Sequence, residues 1–251
     1  MKNTSLDQLQ KEHSPDAISK RLHKVSGSQN VSDAVLGGID GCITTFAVVS
    51  GAVGAGLSAS IAIVLGFANL FADGFSMAVS NYESIKAVQD FADDTRRTEE
   101  DHIDQVPEGE REEVRQIFQN KGFAGSQLES IVATICQDRK LWVETMLTEE
   151  HGLQKTPFSP VKSGFVTFIS FVFVGALPLL PFLFTTIEMD RQFIMSTVIA
   201  GLVFFSIGML KSYVFSKPML RAGLITLLTG GAASGLAFLT GYILREVFGI
   251  V

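Results

Sequence analysis

Two carboxylates and a thioether, those of Asp40, Asp73 and Met77, stand in stretches of this chain that are otherwise apolar enough for a bilayer. Asn69, Asp73, Ser76, Met77 and Ser80 recur at steps of four, three, one and three, so a helix would carry them on one stripe. Asp40 falls nine residues into an apolar run beginning at Val31, roughly 14 Å deep at the helical rise and so near a bilayer's middle. Thr44 follows one turn later on the same face. An unpaired ionisable group at that depth is costly, so it marks a site by default. Carboxylate oxygen beside thioether sulfur suits a soft-to-borderline divalent cation. The spacing therefore reads as a path lined by Asp73 and Met77. Blander readings stand beside it: Asp40 bonding to a helix break at Gly41, Asp73 paired with a backbone or serine group, Met77 as packing.

The elements that would hold these residues follow from the hydropathy pattern. The chain has 251 residues, 47% hydrophobic, and a mean hydropathy of only +0.31. That average mixes two unlike parts. Residues 83–152 carry 17 acidic and 8 basic side chains, a net of −9 in a chain whose total is −6. So acidic a segment repels nucleic acid and attracts cations. Cys42 and Cys136 lie in unlike surroundings, which argues against a disulfide framework.

Residues 1–30 are polar and lack the apolar core of a secretory signal. Ser14-Pro15-Asp16 suits the start of a short helix bearing Ile18, Leu22 and Val25, either on a membrane surface or at the end of a loose tail. Residues 31–82 read as a helical hairpin, turning near Gly54-Ala55-Gly56. Its second helix should run on into water, because neither Gly nor Pro falls between Phe75 and Val106. Residues 83–152 then form an acidic insert, broken at 106–109 and 122–125, with further helices over 110–121 and 126–151 and a stop at Gly152. Residues 153–251 hold three more spans, at 164–184 with Pro178 and Pro181 in its second half, at 193–210 and at 222–244.

The expected fold is thus an all-α membrane protein of five transmembrane helices, with a three-helix acidic insert between the second and third. Five spans place the chain ends on opposite sides. Lys20, Arg21, Lys24, Lys86, Arg96, Arg97, Lys155, Lys162, Lys211, Lys217 and Arg221 would share one side, against Arg191 and Arg245 on the other. By the positive-inside rule the N-terminus and the insert face the cytoplasm. A short chain without a targeting peptide suits a bacterial inner membrane.

Taken together, Asp-Ala-Val-Leu-Gly-Gly-Ile-Asp-Gly at 33–41, the Asp73 and Ser76-Met77 stretch, and the acidic insert resemble the vacuolar iron transporter family, here as a bacterial member. The resemblance implies a homodimer of five-helix protomers with the metal path at their interface. It implies export of Fe2+, and possibly Mn2+, from the cytoplasm in exchange for protons, with no organic cofactor. Asp40 matches the family's first-span aspartate and Met77 its second-span methionine. Asn69 stands where the family has a glutamate, which removes one proton carrier and leaves Asp73, one turn on, as a substitute. In the insert, Glu99, Glu110, Glu113, Met146 and Glu150 match metal-ligand positions. His102 replaces a further glutamate, and Leu147 a methionine.

These types and spacings make chemical sense. Glu99 and His102 are three apart, as are Glu110 and Glu113, so each pair shares a helix face. Crowded carboxylates raise one another's pKa until a cation binds, which couples metal to protons. The competing reading is a membrane-anchored metal-binding or sensing module without transport, although an anchor gains nothing from carboxylates inside its spans. An intramembrane enzyme has little support, since neither a Ser/His arrangement nor HExxH appears. The expected partners are divalent metal ions, protons, membrane lipid and a second copy of the chain.

Overall fold

The computed structural model describes residues 6–22, 28–153, 158–184, 186–214 and 218–249. Val25 and the basic residues Lys24, Lys155 and Lys217 lie outside them. Every regular element among the described residues is helical. The chain divides into two compact units, Met1–Tyr82 with Ser159–Val251, and Glu83–Phe158.

Two short helices, α1 (Leu6–Glu12) and α2 (Pro15–Leu22), open the first unit. Pro15 starts α2 where a missing N–H costs nothing. Helix α3 (Ser28–Gly54) and helix α4 (Ala59–Gln105) form the hairpin. The turn between them falls at the glycines expected. Gly56 takes φ +73°, a left-handed conformation that side chains resist. Helix α4 continues for 47 residues, about 70 Å at the helical rise, because nothing in its sequence stops it.

The later spans are α8 (Pro160–Gly175), α9 (Met189–Val214) and α10 (Met219–Glu246). Helix α8 is followed by a 3-10 segment, Leu177–Leu183, set at 41° to it, where Pro178 and Pro181 cannot continue an α-helix. Among the described residues four helices are long and apolar enough to cross a membrane, and five if this bent pair counts as one. The core of the unit joins Val49, Leu70, Phe171, Leu179 and Phe182. Helices α3 and α8 meet at Gly41: a Cβ there would run into the backbone of Phe171. The small-residue contact lets two backbones touch where side chains would hold them apart.

The second unit takes its first helix from the end of α4 and adds α5 (Pro107–Asn120), α6 (Gly125–Gln137) and α7 (Arg139–Glu149). It differs from the sequence reading in two places. The chain breaks at Val106 alone, and Pro107 opens α5. The single helix expected over 126–151 is two helices, because Asp138 is extended (φ −106°, ψ 105°) and caps α7. Its Oδ1 accepts from the backbone N–H groups of Lys140 (2.9 Å) and Leu141 (3.2 Å). Ile103, Val114, Leu128, Val132, Ile135, Trp142, Val143, Met146 and Leu147 close the core of this unit. Cys42 and Cys136 are both free thiols, the first buried and the second half-buried.

Candidate metal path and acidic metal centre

In the membrane unit, α3 carries Asp40 and α4 carries Met77 to the wall of one cavity of about 500 Å³. The other lining residues are Val31, Ser32, Val35, Leu36, Ile39 and Lys211. Met77 also packs against the apolar core, so its packing role and its place on the cavity coexist. Neither Asp73 nor Asn69 lines this cavity, although the Asp73 charge is within electrostatic reach of Asp40. Asn69 is half-buried, and its Nδ2 is buried with no hydrogen-bond partner among the described residues. Thr44 does something else: its hydroxyl donates to the Asp40 backbone carbonyl at 2.9 Å, one turn back on its own helix. Ser76 and Ser80 of the stripe are exposed.

Two residues of this unit were not assigned a site role from the sequence. Lys211 entered only as a topology signal, yet it lines the cavity with Asp40. Asp33 is 2% exposed. Its Oδ1 accepts from Gln29 Nε2 (3.0 Å) and Asn81 Nδ2 (3.1 Å), and Asn81 also donates to Thr167 Oγ1 (2.8 Å). This partly buried network ties α3, α4 and α8 together. Asp33 falls close to the polar start of its run, where hydropathy gives no signal.

The second unit builds a different arrangement. Glu99 on α4 and Glu110 on α5 are each only 3% exposed. Each keeps one carboxylate oxygen buried without a partner among the described residues. Such orphaned groups cost about 1–3 kcal/mol apiece, more when charged, and a bound cation would relieve that cost. Two sets of donor atoms lie within 4.8 Å of one another: Glu99, His102 and Glu110; and Glu99, Glu150 and His151. His102 Nδ1 is 3.4 Å from Glu110 Oε1. His151 Nε2 is 2.9 Å from Glu99 Oε1 and 3.7 Å from Glu150 Oε2.

Electrostatics match this crowding. Burial first, then the charges of Glu113 and Glu99, push the Glu110 carboxyl up to about 7; His102 opposes and Glu150 adds to the rise. Glu150 is also raised, by burial and then by Glu113. Glu113 itself is exposed and belongs to neither tight set, although its charge reaches both neighbours. Met146 is fully buried among the apolar core residues. His151, which carries no pattern in the sequence beyond its place next to Glu150, is the residue that sequence reasoning left out.

The VIT family profile matches residues 31–242. This chain belongs to the VIT family. It is 33% identical over 240 residues to the vacuolar iron transporter of Toxoplasma gondii, covering 92% of this chain and 79% of that one. It is 30% identical over 226 residues to the vacuolar iron transporter of Plasmodium falciparum, covering 86% and 83%. Against vacuolar iron transporter 1 of Arabidopsis thaliana the figures are 31% over 209 residues, with 83% of each chain covered. As a VIT protein the chain is a multi-pass membrane transporter of divalent metal, not an enzyme.

These relatives overturn the expectation of a bacterial protein in an inner membrane, for they are eukaryotic and named for the vacuole. The signals behind that expectation, the chain length and the polar first residues, carry no information about which membrane receives the protein.

Proposed function

We propose that this VIT protein carries Fe2+, and Mn2+ less selectively, out of the cytoplasm in exchange for protons, across a membrane of the vacuolar kind for which its relatives are named. The observation that supports this most directly is the cavity shared by Asp40 and Met77, with Asp73 in electrostatic reach. An anionic oxygen and a thioether on one wall favour a borderline dication over Mg2+ or Ca2+. Asp40 and Asp73 would take up protons as the ion leaves. Asn69 is neutral at all ordinary pH and would orient rather than carry a proton. The acidic unit faces the cytoplasm and collects metal through Glu99, His102, Glu110 and Glu150. Glu113 adds its charge to that site, and Met146 is assigned to it on family resemblance. The assembly is a homodimer.

The test is Fe2+ flux into proteoliposomes under a pH gradient. Wild type should accumulate Fe2+ only with the gradient. Asp40→Asn and Met77→Ala should each reduce the initial rate at least about tenfold, since losing even a hydrogen-bond partner of a metal ligand typically costs about 10–100-fold. Both variants should still bind metal at the acidic unit, as read by the fluorescence of Trp142, the chain's single tryptophan. Unchanged flux in Asp40→Asn removes the path assignment. Metal binding without any flux in wild type favours the anchored-sensor reading.

A further inference from the structure

We propose that His151 is a ligand of the acidic metal centre, so that each of the centre's two donor sets carries one imidazole, and that the centre thereby prefers Fe2+ and Co2+ over Mn2+. The proposal rests on the reading that the acidic unit binds the transported cation. Four observations carry it, and the first is distance. A six-coordinate ion with bonds of roughly 2.1 Å has adjacent donors about 3.0 Å apart and opposite donors about 4.2 Å apart. His151 Nε2 lies 2.9 Å from Glu99 Oε1 and 3.7 Å from Glu150 Oε2, and His102 Nδ1 lies 3.4 Å from Glu110 Oε1. All three separations fit between or beside those limits. The second is the orphaned oxygens: Glu99 Oε2 and Glu110 Oε2 are buried without a partner in the same cluster.

The third observation is how firmly His151 is held. The N–H groups of Glu150 and His151 both donate to the Met146 carbonyl, at 3.0 and 3.3 Å, and Leu153 N–H donates to the Leu147 carbonyl at 2.8 Å. Gly152 supplies φ +66°, which turns the chain immediately after the histidine. His151 thus sits on a closed helix end. The fourth is shared membership, since Glu99 belongs to both donor sets and connects the two histidines through one carboxylate.

Nitrogen donors change what the site selects. Carboxylates alone hold Mn2+ comfortably, whereas imidazole steepens the rise in affinity from Mn2+ through Fe2+ to Co2+. His151 could instead be only a positive partner for Glu99. His151→Gln separates the two roles, because glutamine keeps an N–H donor for Glu99 and supplies no imidazole. Co2+ and Mn2+ are titrated separately into the purified full chain and followed by Trp142 fluorescence. His151→Gln should weaken Co2+ about tenfold or more and Mn2+ clearly less, lowering the Co2+ to Mn2+ preference at least threefold. Pulsed EPR of Mn2+ bound to wild type should show coupling to imidazole 14N that shrinks in His151→Gln.

Equal losses for both metals, unchanged affinities, or bound Mn2+ without 14N coupling would each overturn the assignment. None of these readouts requires flux. A failed histidine assignment leaves the transport reading standing, and a failed flux assay leaves the histidine assignment to be judged by binding alone.

Discussion

Glu110 is where burial, charge and function meet in one side chain. It is 3% exposed, and its carboxyl is pushed up to about 7 by burial and then by Glu113 and Glu99. In the unfolded chain a glutamate ionises near 4.5. Between those two values the folded, metal-free unit holds a proton that the unfolded chain has released. Stability of the metal-free unit therefore falls as pH rises from about 5 to about 7, and Glu150, also raised, acts in the same direction. A divalent cation needs the ionised form, so its stabilising effect grows over the same window. With chelator present, the denaturant midpoint read by Trp142 should be higher at pH 5.5 than at pH 7.5. With saturating Co2+ the order should reverse, and Glu110→Gln should flatten the pH dependence seen in chelator. A midpoint that rises with pH in chelator would contradict this account of the cluster.

Of the stripe from Asn69 to Ser80, Met77 alone lines the cavity; helical period 3.6 aligned the five residues but could not show which of them a neighbouring helix would face. Asp40, which shares that cavity, was legible from its depth in an apolar run. His151 was not, because its meaning depends on α4 and α7 coming together, which no local spacing reveals. Thr44 was over-read: residues four apart share a face, but a threonine on a helix has a nearer acceptor in the carbonyl behind it.

Elements position these residues through a few local decisions. The hairpin turn, the proline bend after α8 and the length of α4 all follow from where Gly and Pro stand or fail to stand. The break between α6 and α7 does not. Asp138 ends one helix and caps the next with no glycine or proline nearby, and the available signal was an N-cap residue three positions before Leu141. One close backbone approach in the membrane unit is equally local. Gly41, next to Asp40, lets α3 lie against the Phe171 backbone of α8, and a Cβ at that position has nowhere to go. Gly41→Val should force the helices apart at a cost of about 1–3 kcal/mol, the usual range for overpacking. Because Asp40 shares that turn of α3, flux should fall in the same variant. Gly231→Val is the control, since a Cβ at Gly231 meets nothing within 4 Å. Thermal stability in detergent should drop for the first variant and hold for the second.

At the scale of the whole molecule, charge is divided as sharply as hydropathy. Residues 83–152 hold a net of −9, so the rest of the chain is net positive. Hydropathy made the spans readable along the sequence, and charge bias gave them an orientation. Neither carries information about which membrane receives the chain, which is why the relatives and not the residues corrected that point. A concentrated negative unit attached to a transport bundle raises the local concentration of dications, and that attraction is screened over roughly 8–10 Å at ordinary ionic strength. Two consequences separate an electrostatic collector from an obligatory step. Removing two of its charges with Glu110→Gln and Glu113→Gln should lower flux severalfold at scarce Fe2+ and barely at saturating Fe2+. A collector changes how often the path is loaded, whereas the path sets how fast a loaded ion moves. Raising the salt from about 20 to 200 mM should slow wild type at scarce Fe2+ and slow the double variant less, because the variant has less attraction to screen. Equal salt sensitivity in the two proteins, or loss of flux at saturating Fe2+, would instead make the acidic unit part of the route that every ion must take.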